Sequence, residues 1–314
     1  MNAEVIGKKA IKAADWVINY LLLAIIMLPL AFAVYALWDS QQIYNEADKA
    51  SYTVYKPTVE NEGKSFREFQ EINPEIIAWL TVYGTNIDYP ITQGPDNMKY
   101  VNTNAEGKYS LSGSIFLHSK NNSDFSDFNS ILYGHHMEKK RMFGEIGGFS
   151  DRSVFETHKY GNLYYEGNNY GIEFFAFIHT DAYNYDIFTV HVRDEMTKQN
   201  YLSNLLNLAA NSRDTGVTIE DRIILLTTCS ARTTNGRDIL VGRITDNTFE
   251  NTFFDIETKE KTPINVNITN DSTPVLMKWI PISALLLLVL TIVLILIMSN
   301  RRKRKNGEEY IWIN

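Results

Sequence analysis

Two apolar runs set the limits on what this chain can become. Residues 16–37 form a stretch of 22 interrupted by Asn19, Tyr20 and Pro29, and residues 279–298 form a second stretch of 20. Each is long enough to cross a hydrocarbon core about 30 Å thick. Each can do so only as a helix, because backbone groups in lipid must be satisfied within the segment. Lys8, Lys9 and Lys12 precede the first run, and Arg301-Arg-Lys-Arg-Lys305 follows the second. Positive flanks favour the cytoplasmic side, so both ends are expected there and residues 39–278 outside. A cleaved leader is the competing reading of the first run, since Ala31-Phe-Ala33 resembles a small-residue cleavage site. The apolar character continues to Trp38, which favours a retained span.

The 240 residues between the runs are enough for one domain with its own core. They carry 22 basic and 33 acidic side chains, a net charge of −11. Such a surface has no electrostatic reason to bind nucleic acid, and the basic cluster after residue 298 reads as a stop-transfer flank. The chain has one cysteine, Cys229, so an internal disulfide is excluded and the thiol is expected to be free.

Within this outer segment, residues 39–73 read as a polar spacer and a helix whose Phe66, Phe69 and Ile72 share one face. Short strands follow around 76–82 and 87–91, at 112–117, where Gly113 marks a close backbone approach, and near Ile131. Residues 138–146 read as a helix stopped by Gly147 and Gly148, with Met142 and Phe143 inward. Residues 161–178 read as a hairpin turning at Gly167-Asn-Asn169. Residues 194–211 give the best helix, with Leu202, Leu205, Leu206 and Ala209 on one face and Asp194 and Glu195 at the end where the dipole favours acids. The loop 120–128 has two aspartates but lacks the glycine and terminal glutamate of an EF-hand, and no nucleotide-binding glycine loop occurs; neither metal nor cofactor is expected. His118, at a strand exit, reads as solvated; His179 and His191 flank a polar loop, have no partner motif around them and are given no role. Asn267 and Asn270 match glycosylation triplets and read as chance.

Three stretches carry chemistry. Ile223-Ile-Leu-Leu-Thr-Thr-Cys-Ser230 places Cys229 at the open end of a buried strand. In Leu132-Tyr-Gly-His-His-Met137 an apolar run ends at a glycine and two histidines, the side chains able to turn a thiol into a thiolate. Gly236-Arg-Asp-Ile-Leu-Val-Gly-Arg243 leaves the cysteine by a polar loop and enters another strand with Arg237 at its start, a permanent charge suited to a peptide carbonyl or an oxyanion.

This order of His, Leu-Leu-Thr-Thr-Cys and Arg resembles the sortase family of membrane-anchored cysteine transpeptidases, most of all its class B. Glu75-Ile-Ile-Ala-Trp-Leu80, Gly84-Thr-Asn-Ile-Asp-Tyr-Pro-Ile91, Gly113-Ser-Ile-Phe-Leu117 and Met142-Phe143 resemble class B signatures in the same order, over roughly residues 65–245. The chain departs from the family at Leu225, where threonine is usual, and at His136, where asparagine is usual. The resemblance implies a mainly β fold with flanking helices, a closed eight-stranded mixed barrel. The expected layout is a cytoplasmic N-terminus and span (1–38), spacer and helix (39–73), catalytic barrel (74–246), Asn/Thr-rich tether (247–278), second span (279–298) and basic tail (299–314).

The resemblance also implies the reaction. Cys229 attacks the carbonyl of a threonine in the C-terminal sorting signal of a secreted protein, and His135 protonates the departing amine. A second amine then resolves the thioester, and Arg237 holds the substrate backbone or oxyanion. His136 is the alternative base; His135 directly follows the glycine, as in the family motif. The acceptor is a pilin lysine or a cell-wall precursor, and the second apolar run favours the pilin. Two readings remain beside this one: a membrane-tethered cysteine peptidase that releases its acyl group to water, and a non-enzymatic adhesin or receptor ectodomain with Cys229 merely buried.

Overall fold

The computed structural model describes residues 3–58, 63–230 and 235–253. The second apolar run, the tether beyond residue 253, the basic tail and both glycosylation triplets lie outside the described residues. The first run falls within one helix, α1 (Ala3–Glu46), which extends past both of its ends. It is long and apolar enough to cross a membrane. Residues Ile43–Pro263 form a compact unit separate from the earlier part of that helix.

In the compact unit, two 3-10 turns at Lys49–Ser51 and Thr53–Tyr55 lead to α2 (Lys64–Ile72). Phe66 and Phe69 are buried as the spacing predicts, whereas Ile72 is half exposed. The Phe69 ring stacks on Tyr55 at 4.2 Å and on Tyr52 at 5.9 Å, closing an aromatic layer over β1 (Ile76–Val82).

β1 pairs antiparallel with β2 (Asp88–Thr92), which runs parallel to β3 (Ile115–Leu117); β3 pairs antiparallel with β4 (Asn129–Tyr133). A small separate hairpin, β5 (His136–Met137) and β6 (Arg141–Met142), comes next, then α3 (Arg152–Thr157). β7 (Tyr160–Tyr165) and the long β8 (Asn168–Asp181) form the expected hairpin. Its turn is Glu166-Gly167 rather than the expected Gly167-Asn-Asn169, since Asn168 already pairs with Tyr165; both turn residues have positive φ (48° and 81°), the conformation that matches strand twist in a two-residue loop. α4 (Glu195–Leu208) leads into β9 (Ala209–Ser212), and β10 (Arg222–Cys229) and β11 (Gly236–Thr245) complete the sheet.

The strands close on themselves in the order β1-β2-β3-β4-β10-β11-β8-β7, an eight-stranded mixed barrel with β9 added outside β8. Closure leaves no long free edge. β10 is parallel to β4 on one side and antiparallel to β11 on the other. Its Ile224 and Leu226 join the large core with Leu132, Leu240 and Phe177. Ile223 and Leu225 face the other way and pack with Ile131, Ile239 and Val241 beneath Tyr201, Leu202 and Leu205 of α4. A strand covered on both faces needs a continuous apolar run, which is why its sequence does not alternate.

Two expected helices are corrected. Residues 138–146 form the turn and second strand of the β5–β6 hairpin and the start of a 3-10 turn at Ile146–Ser150. Lys139 and Lys140 have φ of 56° and 58°, incompatible with a right-handed helix, and the segment is tied instead to distant residues 44–48. Met142 and Phe143 are buried as expected. The second helix is capped by Asp194, whose carboxylate accepts from Thr197 N–H, and it ends at Leu208 rather than Asn211. Ala209 is extended and starts β9, which adds to β8; pairing with a sheet edge overrides propensity there. Leu206 points outward.

Phe69→Ala removes a fully buried ring from the aromatic layer and is expected to destabilise the compact unit by about 3–5 kcal/mol, measured by denaturant unfolding of the two proteins side by side.

Candidate active site

The site is built by register. Tyr133 on β4 pairs with Thr227 on β10, and Gly134 N–H extends this ladder by donating to Thr227 C=O at 3.1 Å. His135 and Cys229 are each two residues beyond that pair, at the same ends of strands that run about 4.8 Å apart. On the other side of β10, Cys229 lies directly opposite Arg237 of β11. Three positions scattered over a hundred residues of sequence thus fall at one end of three adjoining strands, with His135 just beyond β4.

Cys229 is exposed between two buried neighbours, Thr228 and Ser230. By the two-residue period of a strand it shares a face with Thr227 and Leu225, the face under α4, and Arg237 shares it with Ile239. The expectation of a thiol at the strand mouth agrees with this placement, and the buried-cysteine alternative does not.

The His135 ring is half-buried and its Nε2 lies 2.8 Å from the carbonyl of Val101. A carbonyl only accepts, so Nε2 carries the ring proton and Nδ1 is left without a partner among the described residues. Two glycines fix this geometry. Gly113 has φ of +59°, and a Cβ there would lie 2.5 Å from the Val101 oxygen; a Cβ on Gly134 would lie 2.7 Å from the Phe143 ring. His136 lies in β5 opposite Met142, with Nδ1 buried and unpaired.

Arg237 is half-buried, donates to the carbonyl of Gly236 at 3.0 Å and has no carboxylate partner among the described residues. It lies near the Tyr133 phenol, which burial pushes up to about 12 against the pull of that positive charge. The next residue, Asp238, points to the opposite face, where it is 2% exposed and 2.7 Å from His179 Nδ1. The buried carboxylate adjacent in sequence to the guanidinium is therefore engaged elsewhere. No partner for His179 is readable in the sequence, because Asp238 reaches it only through the β8–β11 pairing. His118, expected to be solvated, is half-buried, its Nδ1 accepting from Lys120 N–H and its ring 6.0 Å from Tyr133. Burial, then the charges of Lys120 and His191, holds its pKa below the usual imidazole range.

The hydroxyls of Thr227 and Thr228 are buried without partners beside the thiol. A cleft of about 260 Å³ between α4 and the preceding loop, lined by Asp186, Thr189, Asn200 and Asn204 among others, contains none of the three residues of the motif. Among the described residues no group of three or more His, Cys, Asp or Glu converges as a metal site.

No protein-family model matches the chain. Sortase B of Listeria monocytogenes is 32% identical over 212 residues, which are 65% of this chain and 85% of that protein. A crystal structure of sortase B from the type II pilus of Streptococcus pneumoniae shares 44% identity at a TM-score of 0.51, over 57% of this chain and 98% of that one. A Streptococcus pyogenes class B sortase involved in pilus biogenesis shares 39% identity at a TM-score of 0.53, over 58% of this chain and 99% of that one.

Because folding lowers the pKa of His118, the unfolded chain takes up a proton there before the folded one does. This contribution costs nothing above about pH 6.5, and stability falls as the pH drops below that value. His118→Gln is expected to flatten that part of the stability profile, read from urea unfolding between pH 7.5 and pH 5.

Proposed function

The chain belongs to the sortase family, class B, and from that membership we propose that it is a membrane-anchored transpeptidase whose chemistry is carried by Cys229, His135 and Arg237. Sortases are cysteine transpeptidases, so the reaction is acyl transfer through a thiol. The observation that supports the assignment is the register: an exposed thiol at the end of β10, with Arg237 opposite it on β11 and His135 at the matching position beyond β4.

In the proposed first half-reaction, Cys229 Sγ, as thiolate, adds to the carbonyl carbon of a threonine in the sorting signal. Arg237 offsets the negative charge that develops on the carbonyl oxygen. The carbon–nitrogen bond breaks as His135, as imidazolium, gives its Nδ1 proton to the departing amine, leaving a thioester and a neutral imidazole. In the second half, an incoming amine adds to the thioester and loses a proton to His135; the carbon–sulfur bond breaks, and amide and thiolate result. Nδ1 is the nitrogen assigned to this exchange because Nε2 is held by Val101.

The acceptor we propose is a lysine side chain of a pilin subunit rather than a cell-wall precursor. Two pilus-associated class B enzymes are among the structures this chain resembles, and the second apolar run, residues 279–298, fits the two-span arrangement common to pilus-polymerising sortases. The proposed setting is the cell membrane, with α1 as the anchor and the barrel, residues 74–246, outside. Residues 247–278 serve as the tether to the second span and residues 299–314 as the cytoplasmic tail.

The test is to incubate the chain with a panel of sorting-signal peptides and a lysine-bearing acceptor and identify products by mass. The expected product is a new amide, absent with Cys229→Ala; an active alanine variant would sink the mechanism. Release of the free acid with no amide, at saturating amine, would point to a peptidase instead. Arg237→Ala is expected to lower kcat about 100-fold, the scale on which loss of one oxyanion donor acts, measured by steady-state kinetics on the same peptide.

A further inference from the structure

His135, in the link between β4 and β5, is held by two groups from elsewhere in the chain. Its ring donates to the carbonyl of Val101, and its own carbonyl accepts from Phe143 N–H at 3.0 Å. Phe143 directly follows β6, in the small β5–β6 hairpin. That hairpin has only two cross-strand residue pairs, and Lys139, Lys140 and Met142 within it all have positive φ. A two-stranded ribbon of this size does not hold itself in place.

It is anchored by Met142 and Phe143, buried in the large core, and by a short segment at the end of α1. Arg141 reaches Asp48 at 2.5 Å, Tyr44 donates to Glu138 at 3.4 Å, and the Lys139 ammonium lies 4.2 Å from the Tyr44 ring centre. A second path is buried: Met142 N–H donates to the Tyr89 hydroxyl at 3.2 Å, which donates to Ala47 C=O at 2.9 Å. The same segment grips the other partner of the histidine. Ser110 donates to Glu46 at 2.7 Å, and Ser110 N–H donates to Asn102 C=O, next to Val101.

We propose that residues 44–48 are a positioning clamp for the catalytic histidine, fixing through Asp48–Arg141 and Glu46–Ser110 the two elements between which His135 is suspended. The inference rests on His135 being the acid and base of the reaction. Asp48 and Arg141 touch neither substrate nor thiol; they act by keeping the imidazole where Cys229 can use it. The link is charge-assisted and only a quarter exposed on each side, so it is little weakened by solvent.

The experiment uses the full chain in detergent micelles and compares Asp48→Asn, Asp48→Glu, Arg141→Gln and His135→Ala. Three quantities are read: kcat and KM with the sorting-signal peptide selected above, the pH dependence of Cys229 alkylation by iodoacetamide, and the melting temperature. Asp48→Asn and Arg141→Gln are expected to lower kcat about tenfold with KM within about twofold, as misplacement of a catalytic group does. Their alkylation curves are expected to move toward that of His135→Ala, while Asp48→Glu keeps wild-type values. A folded Asp48→Asn protein with wild-type kcat and alkylation curve, beside an inactive His135→Ala, overturns the clamp and leaves the histidine assignment standing. Equal impairment of Asp48→Asn and Asp48→Glu, tracking melting temperature alone, overturns it too. A fully active His135→Ala overturns the histidine assignment itself, and the clamp with it.

Discussion

The parallel pairing of β4 with β10 is the constraint on which the rest of the structure depends. Parallel neighbours cannot be joined by a tight turn, and here residues 134–221 intervene, including the β7–β8 hairpin and α4. The pairing brings the ends of both strands to one place. β10 is buried on both faces, so its register is not adjustable: a slip of one residue would exchange Ile224 and Leu226 for Leu225 and Thr227 in the large core and turn Cys229 from the α4 face to the opposite one. The packing of four aliphatic side chains thus sets the position of the thiol.

Charge at the barrel mouth is sorted by strand parity. Arg237 and Asp238 are neighbours in sequence, and had they faced the same way they would have neutralised each other. On a strand they point to opposite sides, and His179 takes the carboxylate on the far one. The guanidinium keeps its charge on the face it shares with Cys229, where the raised phenol of Tyr133 stays neutral beside it.

Most of the barrel was legible in the chain. β1, β10 and β11 are apolar runs rich in β-branched residues, the β7–β8 turn carries its glycine, and Cys229, His135 and Arg237 each stand at the end of such a run. Those signals are local, and local signals survive in a sequence. What was not legible depends on partners far away. The β5–β6 hairpin reads as helical because Glu138, Lys139 and Lys140 are good helix formers, and partners 53 to 94 residues distant, Tyr44, Asp48 and Tyr89 among them, hold it otherwise. The same holds for His179, ordinary until β11 is laid beside β8, and for the end of α4, where the edge of β8 captures Ala209. The hydrogen bond that fixes the His135 ring is of this kind too, since the carbonyl of Val101 leaves no trace in side-chain chemistry.

The solitary, exposed sulfur has a consequence wherever the molecule meets an oxidant. If an oxidant converts Cys229 to the sulfenic acid, no second thiol in this chain is present to condense with it. The damage cannot be resolved internally as a disulfide and advances toward the irreversible sulfinic and sulfonic acids unless an external thiol intervenes. Protection of this protein against oxidative ageing is therefore a property of its surroundings rather than of its fold.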